Sequence, residues 1–215
     1  MNYQAAIFDM DGLLLDTERV CMRVFKQACA TTHQPFHEEV YRSIIGCNSA
    51  TIEKIFRHAY GEHYQTVHDE WRVNYNAIVK HQAIPVKDGV IELLEWLKSH
   101  KIPTAVATST HKDVATFKLQ LAGLDKYFDS LTCGCEVSHG KPDPEIYLLA
   151  ATRLGVDPTR CLAFEDSNNG VRSAVAARMN TYQIPDLLEP SEDVIALGHQ
   201  ILPSLHDALA DLKQQ

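Results

Sequence analysis

No stretch of Lys and Arg runs through this sequence, and none of its apolar runs nears the ~18 residues that a membrane helix needs. With a formal net charge of -8, the first absence argues against a nucleic-acid polymer as partner, because an acidic surface repels phosphate backbones at long range. The second argues against a membrane-spanning segment. Also missing is a basic stretch followed by an apolar one at the N-terminus. The run Ala5–Phe8 meets Asp9 and Asp11 too soon for a secretory signal, so the expected location is the cytoplasm. The six cysteines follow no disulfide framework, and Cys133-Gly134-Cys135 has no second Cys or His pair at ligand spacing. Reduced thiols are the expectation. Eleven histidines form neither H-x-x-H nor H-E-x-x-H, which leaves them surface or packing roles; His111 alone lies near a candidate site. What is present is ordinary globular material: 215 residues, 45% hydrophobic and 22% charged, enough for one large domain or a domain with an insert.

The apolar run from Tyr3 ends in Asp9-Met10-Asp11-Gly12, which reads as a buried strand closed by a turn. From Thr17 to about Gln82 apolar residues recur at helical spacing (Val20, Val24, Ala28, then Ile52, Ile55, Phe56, then Val67, Trp71, Ile78) and predict about four helices. Pro85 and Asp88-Gly89 mark a junction. Beyond it helices alternate with short apolar strands at 103–107, 128–132, 161–164 and 180–184. Such alternation predicts an α/β fold, a doubly wound, Rossmann-like parallel sheet with helices on both faces. The expected architecture is thus an α/β core of residues 1–16 and 83–215, with an inserted helical domain at 17–82 placed where a lid belongs.

Four polar clusters fall after predicted strands: Asp9-x-Asp11-Gly12, Thr108-Ser109-Thr110, Lys141-Pro142-Asp143-Pro144 and Glu165-Asp166-Ser167. Lys141 is set back some nine residues from its strand. Alone, each has an ordinary structural use, as a solvated turn, a helix cap, a helix start or a charged loop. In a parallel sheet, however, strand ends share one edge, and ligands bind there. Asp9 and Asp11 repel each other unless a cation relieves them, and Asp166 from another strand adds an oxygen ligand. Few carboxylates with waters and phosphate suit Mg²⁺. One carboxylate can attack phosphorus while its neighbour protonates the leaving oxygen and later deprotonates water. Thr108 and the backbone amides of Ser109 and Thr110 can bind phosphate oxygens, and Lys141 supplies a positive charge.

The stretches Phe8-Asp9-Met10-Asp11-Gly12-Leu13-Leu14-Leu15-Asp16-Thr17-Glu18, Gly140-Lys141-Pro142-Asp143-Pro144 and Phe164-Glu165-Asp166-Ser167 resemble the haloacid dehalogenase superfamily. The subgroup resembled holds β-phosphoglucomutase and small sugar-phosphate and pseudouridine-5′-phosphate phosphatases. The resemblance implies Asp9 as nucleophile and Asp11 as acid and base. It implies Mg²⁺ held by Asp9, the Asp11 carbonyl and Asp166, with Glu165 beside the metal, and phosphate held by Thr108 and Lys141. It also implies a helical cap at 17–82 that opens and closes. Mutase-like caps carry a His shortly after the Asp-Thr pair and an Arg after a cap glycine. Here those places read Cys21 and Gly46-Cys47-Asn48-Ser49, which favours hydrolysis. The expectation is therefore a monomeric, Mg²⁺-dependent phosphatase acting on a small phosphorylated metabolite. A phosphomutase and a non-catalytic phosphate-ligand-binding protein are the alternatives. Glu18, Arg19, Asn48 and Ser49 are candidates to touch the leaving group.

Overall fold

The computed structural model describes residues 3–45 and 49–214. The chain divides into two compact units, one of residues 1–16 and 85–215, the other of residues 17–84.

In the first unit the described residues form six parallel strands: β1 (Ala5–Phe8), β2 (Thr104–Thr108), β3 (Ser130–Cys133), β4 (Cys161–Glu165), β5 (Asn180–Gln183) and β6 (Gln200–Ile201). Their order is β3-β2-β1-β4-β5-β6. The chain winds outward from β1 to one side and then crosses to the other, so the topological switch lies between β1 and β4. In register Phe8 sits opposite Val106 on one side and Phe164 on the other, which brings Asp9 and Glu165 to neighbouring strand ends. This is the doubly wound α/β sheet that the alternation of helices and strands predicts.

β1 is buried along its length, so its successive side chains serve two cores. On one face Ala5 and Ile7 join Ala105, Ala107 and Ala163 beneath helix α7 (Glu145–Leu154). The small strand residues let that helix approach closely. On the other face the rings of Phe8 and Phe164 stack at 4.7 Å, and Tyr182 continues the stack at 5.3 Å. Helices α5 (Val90–Ser99), α6 (Lys112–Leu121), α8 (Asn168–Ala176), α9 (Glu192–Ile195) and α10 (Leu205–Leu212) complete this unit.

The second unit holds α1 (Thr17–Thr31), α2 (Glu38–Ile44), α3 (Ser49–Tyr60) and α4 (Tyr64–His81). It has its own aromatic core, in which Phe25 meets the rings of Phe36, Tyr41, Phe56, Tyr60 and Trp71 at centroid distances of 5.4–6.2 Å. Trp96 is half-buried with its ring against His100. Of the four residues proposed to touch a leaving group, Glu18 accepts a hydrogen bond from the Tyr41 hydroxyl at 2.9 Å within the helical unit. Gly46, Cys47 and Asn48 lie outside the described residues, as does the Ser49 side chain. Among the described residues no helix is long and apolar enough to cross a membrane, and Cys133 and Cys135 are free thiols.

Candidate active site

The site starts from how β1 ends. The amide of Asp9 donates to the Phe164 carbonyl at 3.0 Å, carrying the β1–β4 ladder one residue past the strand. The chain then folds back through Met10–Leu15, where the Leu14 and Leu15 amides both donate to the Met10 carbonyl. Gly12 makes this possible. Its φ is +89°, and a Cβ built on it would lie 2.3 Å from Asp166 Oδ2, so both backbone conformation and close approach demand glycine. The turn thereby lies directly against the acid at the end of β4.

Lys141 reaches the same place from the loop beyond β3. That loop is shaped by Glu145, whose carboxylate accepts from the amides of Ser138 and His139 at 2.9 and 2.8 Å. Ser173 on α8 donates to the Asp143 carbonyl at 2.6 Å. The Lys141 ammonium donates to Asp9 Oδ1, to Glu165 Oε1 at 2.6 Å and to the Ala107 carbonyl at 3.0 Å. One cation thus joins the ends of β1, β2 and β4. Burial opposes the charge on Lys141, but Asp9 and Glu165 outweigh it and hold its pKa above the ordinary lysine range. Asp9 is only 7% exposed. Burial pushes its carboxyl up to about 7 against the pull of Lys141, with Glu165 and Asp11 adding to the rise.

Glu165 is fully buried and fully engaged. Oε1 accepts from Lys141 and from the Tyr147 hydroxyl at 2.8 Å, and Oε2 accepts from the Asp166 amide, the Ser167 amide and the Ser167 hydroxyl at 3.1–3.2 Å. Ser167 also caps α8, its Oγ accepting from the Gly170 amide at 3.0 Å. A Cβ on Gly170 would sit 1.8 Å from Glu165 Oε1. Gly170→Ala is therefore expected to displace this carboxylate and destabilise the fold by about 1–3 kcal/mol, read as a lower urea midpoint.

Asp9, Glu165 and Asp166 each offer a carboxylate oxygen, and these oxygens lie within 4.8 Å of one another. An all-oxygen, all-carboxylate donor set fits a hard divalent cation. Asp9 and Asp166 are the better-placed donors, since both Glu165 oxygens already accept several hydrogen bonds.

Asp11 is held elsewhere by its side chain. Its Oδ2 accepts from the Thr110 hydroxyl and its Oδ1 from the Lys118 ammonium, both at 2.6 Å. Thr108 is buried at the end of β2, and its Oγ1 accepts from the Thr110 amide at 3.1 Å. Ser109 is exposed. Its carbonyl lies so near Gly134 that a Cβ there would come within 2.6 Å, which fixes the loop after β2 against the turn after β3. His111 is exposed at the start of α6.

Against known families, residues 6–184 match the model of the haloacid dehalogenase-like hydrolases. The chain belongs to this family. Among relatives of this hydrolase is the phosphorylated carbohydrates phosphatase of Thermotoga maritima, 34% identical over 98% of this chain and 99% of that protein. Another is the fructose-1-phosphate phosphatase YqaB of Escherichia coli, 30% identical over 85% of this chain and 97% of that protein. Among solved structures, CbbY from Rhodobacter sphaeroides in complex with phosphate superposes with a TM-score of 0.74 at 28% identity, covering 94% of this chain and 95% of that one.

Two side chains at this hydrolase's site had no place in the reading of its sequence. Tyr147 is one, its phenol kept protonated by burial and by the neighbouring Glu165 and Asp9 charges. Lys118 is the other. The signal for it was present: Ala115, Lys118 and Leu119 form the buried face of α6, so a lysine stands where the helical period calls for an apolar residue.

Proposed function

We propose that this hydrolase cleaves small phosphate monoesters, phosphorylated carbohydrates foremost, through a phosphoryl group carried on Asp9. The observation that carries the reading is the Lys141 ammonium, shared between Asp9 and Glu165 beside Asp166 at the switch point of the sheet. The names of the two relatives support the substrate class. Mg²⁺ held by Asp9, Asp166 and the Asp11 carbonyl would neutralise the crowded carboxylates and polarise a phosphoryl oxygen.

The residues of the chain divide the remaining work. An Asp9 oxygen attacks phosphorus and the bond to the ester oxygen breaks, with Asp11 giving that oxygen a proton. Asp11 then takes a proton from water, the water oxygen attacks the same phosphorus, and the Asp9–phosphorus bond breaks to release inorganic phosphate. Lys141, the Thr108 hydroxyl and the Ser109 amide stabilise charge on the transferring group, whereas the Thr110 amide is engaged by Thr108 Oγ1. A panel of sugar phosphates, nucleoside monophosphates and aryl phosphates, assayed with Mg²⁺ and with EDTA, tests this. Chelation is expected to lower phosphate release by more than about 100-fold, with Mg²⁺ restoring it. Isomer formation in place of phosphate release would instead indicate a mutase, and EDTA-resistant turnover would remove the metal from the reading.

A further inference from the structure

The contacts of Asp11 raise a question that the acid and base role leaves open. A carboxylate on a flexible side chain must present one oxygen to the leaving group, and a misplacement of about 1 Å can cost ~10²-fold in rate. Something has to hold it. Two groups from the β2–α6 segment do so, one per oxygen: the Thr110 hydroxyl at Oδ2 and the Lys118 ammonium at Oδ1. Lys118 is only 4% exposed, whereas the Asp11 side chain keeps 24% of its surface open. The lysine is thus the buried buttress and the acid is its accessible face. Burying an ammonium on the inner stripe of a helix is costly unless it is paired, so its location needs a reason that packing does not supply.

We infer that Lys118 is a positioning residue for the proton-transfer group, fixing the Asp11 carboxylate by its Oδ1 while Thr110 fixes Oδ2. This rests on the proposed role of Asp11 and extends it to a residue on α6, 107 positions away in sequence. If Lys118 merely balances charge, its loss slows every substrate alike. If it aims the acid, its loss matters in proportion to how much the leaving oxygen needs a proton.

The test is a leaving-group series on the Mg²⁺-loaded full chain, with kcat/KM measured on p-nitrophenyl, phenyl and benzyl phosphate. kcat/KM reports the step in which the ester oxygen departs. For Lys118→Met the p-nitrophenyl ester is expected to stay within about threefold of wild type, while benzyl phosphate falls by about 100-fold. Thr110→Val removes the other bond without altering charge and retains the backbone amide. It is expected to steepen the series by about tenfold in the same sense, and it carries the test should Lys118→Met fail to fold. A uniform loss across the three esters, or no loss, overturns the inference. Asp11→Asn is run in parallel. A steep series there with a flat one for Lys118→Met sinks the positioning role alone, whereas a flat series for Asp11→Asn overturns the acid assignment and the inference with it.

Discussion

Asp9→Asn is expected to give a folded protein whose kcat on any accepted phosphate ester is lower by at least about 10⁴-fold, as when other enzymes lose a nucleophile. The substitution keeps the shape of the side chain and removes its capacity to form the mixed anhydride with phosphate. Its structural cost is small for a reason visible at the site. Lys141 loses one anionic partner but retains Glu165 at 2.6 Å and the Ala107 carbonyl at 3.0 Å, so its buried charge stays compensated. The β1–β4 ladder reaches the position through the backbone amide, which asparagine also has. The urea midpoint is expected to shift by no more than the equivalent of about 1–2 kcal/mol. Phosphate release and denaturation are measured on one preparation. More than a tenth of wild-type activity in the pure variant would remove Asp9 from the role of nucleophile and reduce it to one member of an acidic group.

The centre of the sheet is written in the sequence as two runs of four apolar residues, Ala5–Phe8 and Cys161-Leu162-Ala163-Phe164, each closed by acidic ones. β1 is the clearest case, because Asp9 and Gly12 end it abruptly. The strands near Thr104, Ser130, Cys161 and Asn180 fall where alternation with helices puts them. The far end of the chain was less legible. β6 is two residues long and exposed, so no hydrophobic run announces it and only its pairing with Tyr182 and Gln183 defines it. α10 carried a signal that went unread, since Leu205, Ala208, Leu209 and Leu212 repeat at helical spacing and are buried.

At the site, a local motif reveals residue types but not partners. Glu165-Asp166-Ser167 reads as a charged loop until Tyr147 and Gly170 are seen packed against Glu165. Lys141 looked displaced, some nine residues beyond its strand. The 3₁₀ turn Gly134–Glu136 and the Glu145 bonds to Ser138 and His139 use up that length and return the lysine to the sheet edge. Lys118 shows the same limit most plainly: its helix face was readable, but its partner across 107 residues was not.

Lys141→Met should damage both stability and turnover, and the two effects separate by a second substitution. The lysine side chain is 6% exposed, Asp9's 10% and Glu165's 0%. Removing the cation leaves two carboxylates facing each other in a site that water barely enters. Breaking a buried pair in this way typically costs about 3–5 kcal/mol, because the surviving charge is desolvated without a partner. A urea midpoint lowered by that equivalent is expected. Adding Glu165→Gln to Lys141→Met neutralises the most buried of the stranded charges; its amide oxygen takes the place of Oε2 and accepts from the Asp166 and Ser167 amides, while its NH2 donates to the Tyr147 hydroxyl oxygen. The double variant is therefore expected to recover part of the lost stability, a non-additivity of about 1–3 kcal/mol between neighbours that share a partner. Activity follows a different course. The positive charge that balances the transferring phosphoryl group is missing from both variants, so both are expected to fall by at least about 10³-fold in kcat. Stability restored together with turnover would mean that Lys141 serves only to solvate Glu165. Stability restored without turnover places its charge at the phosphate.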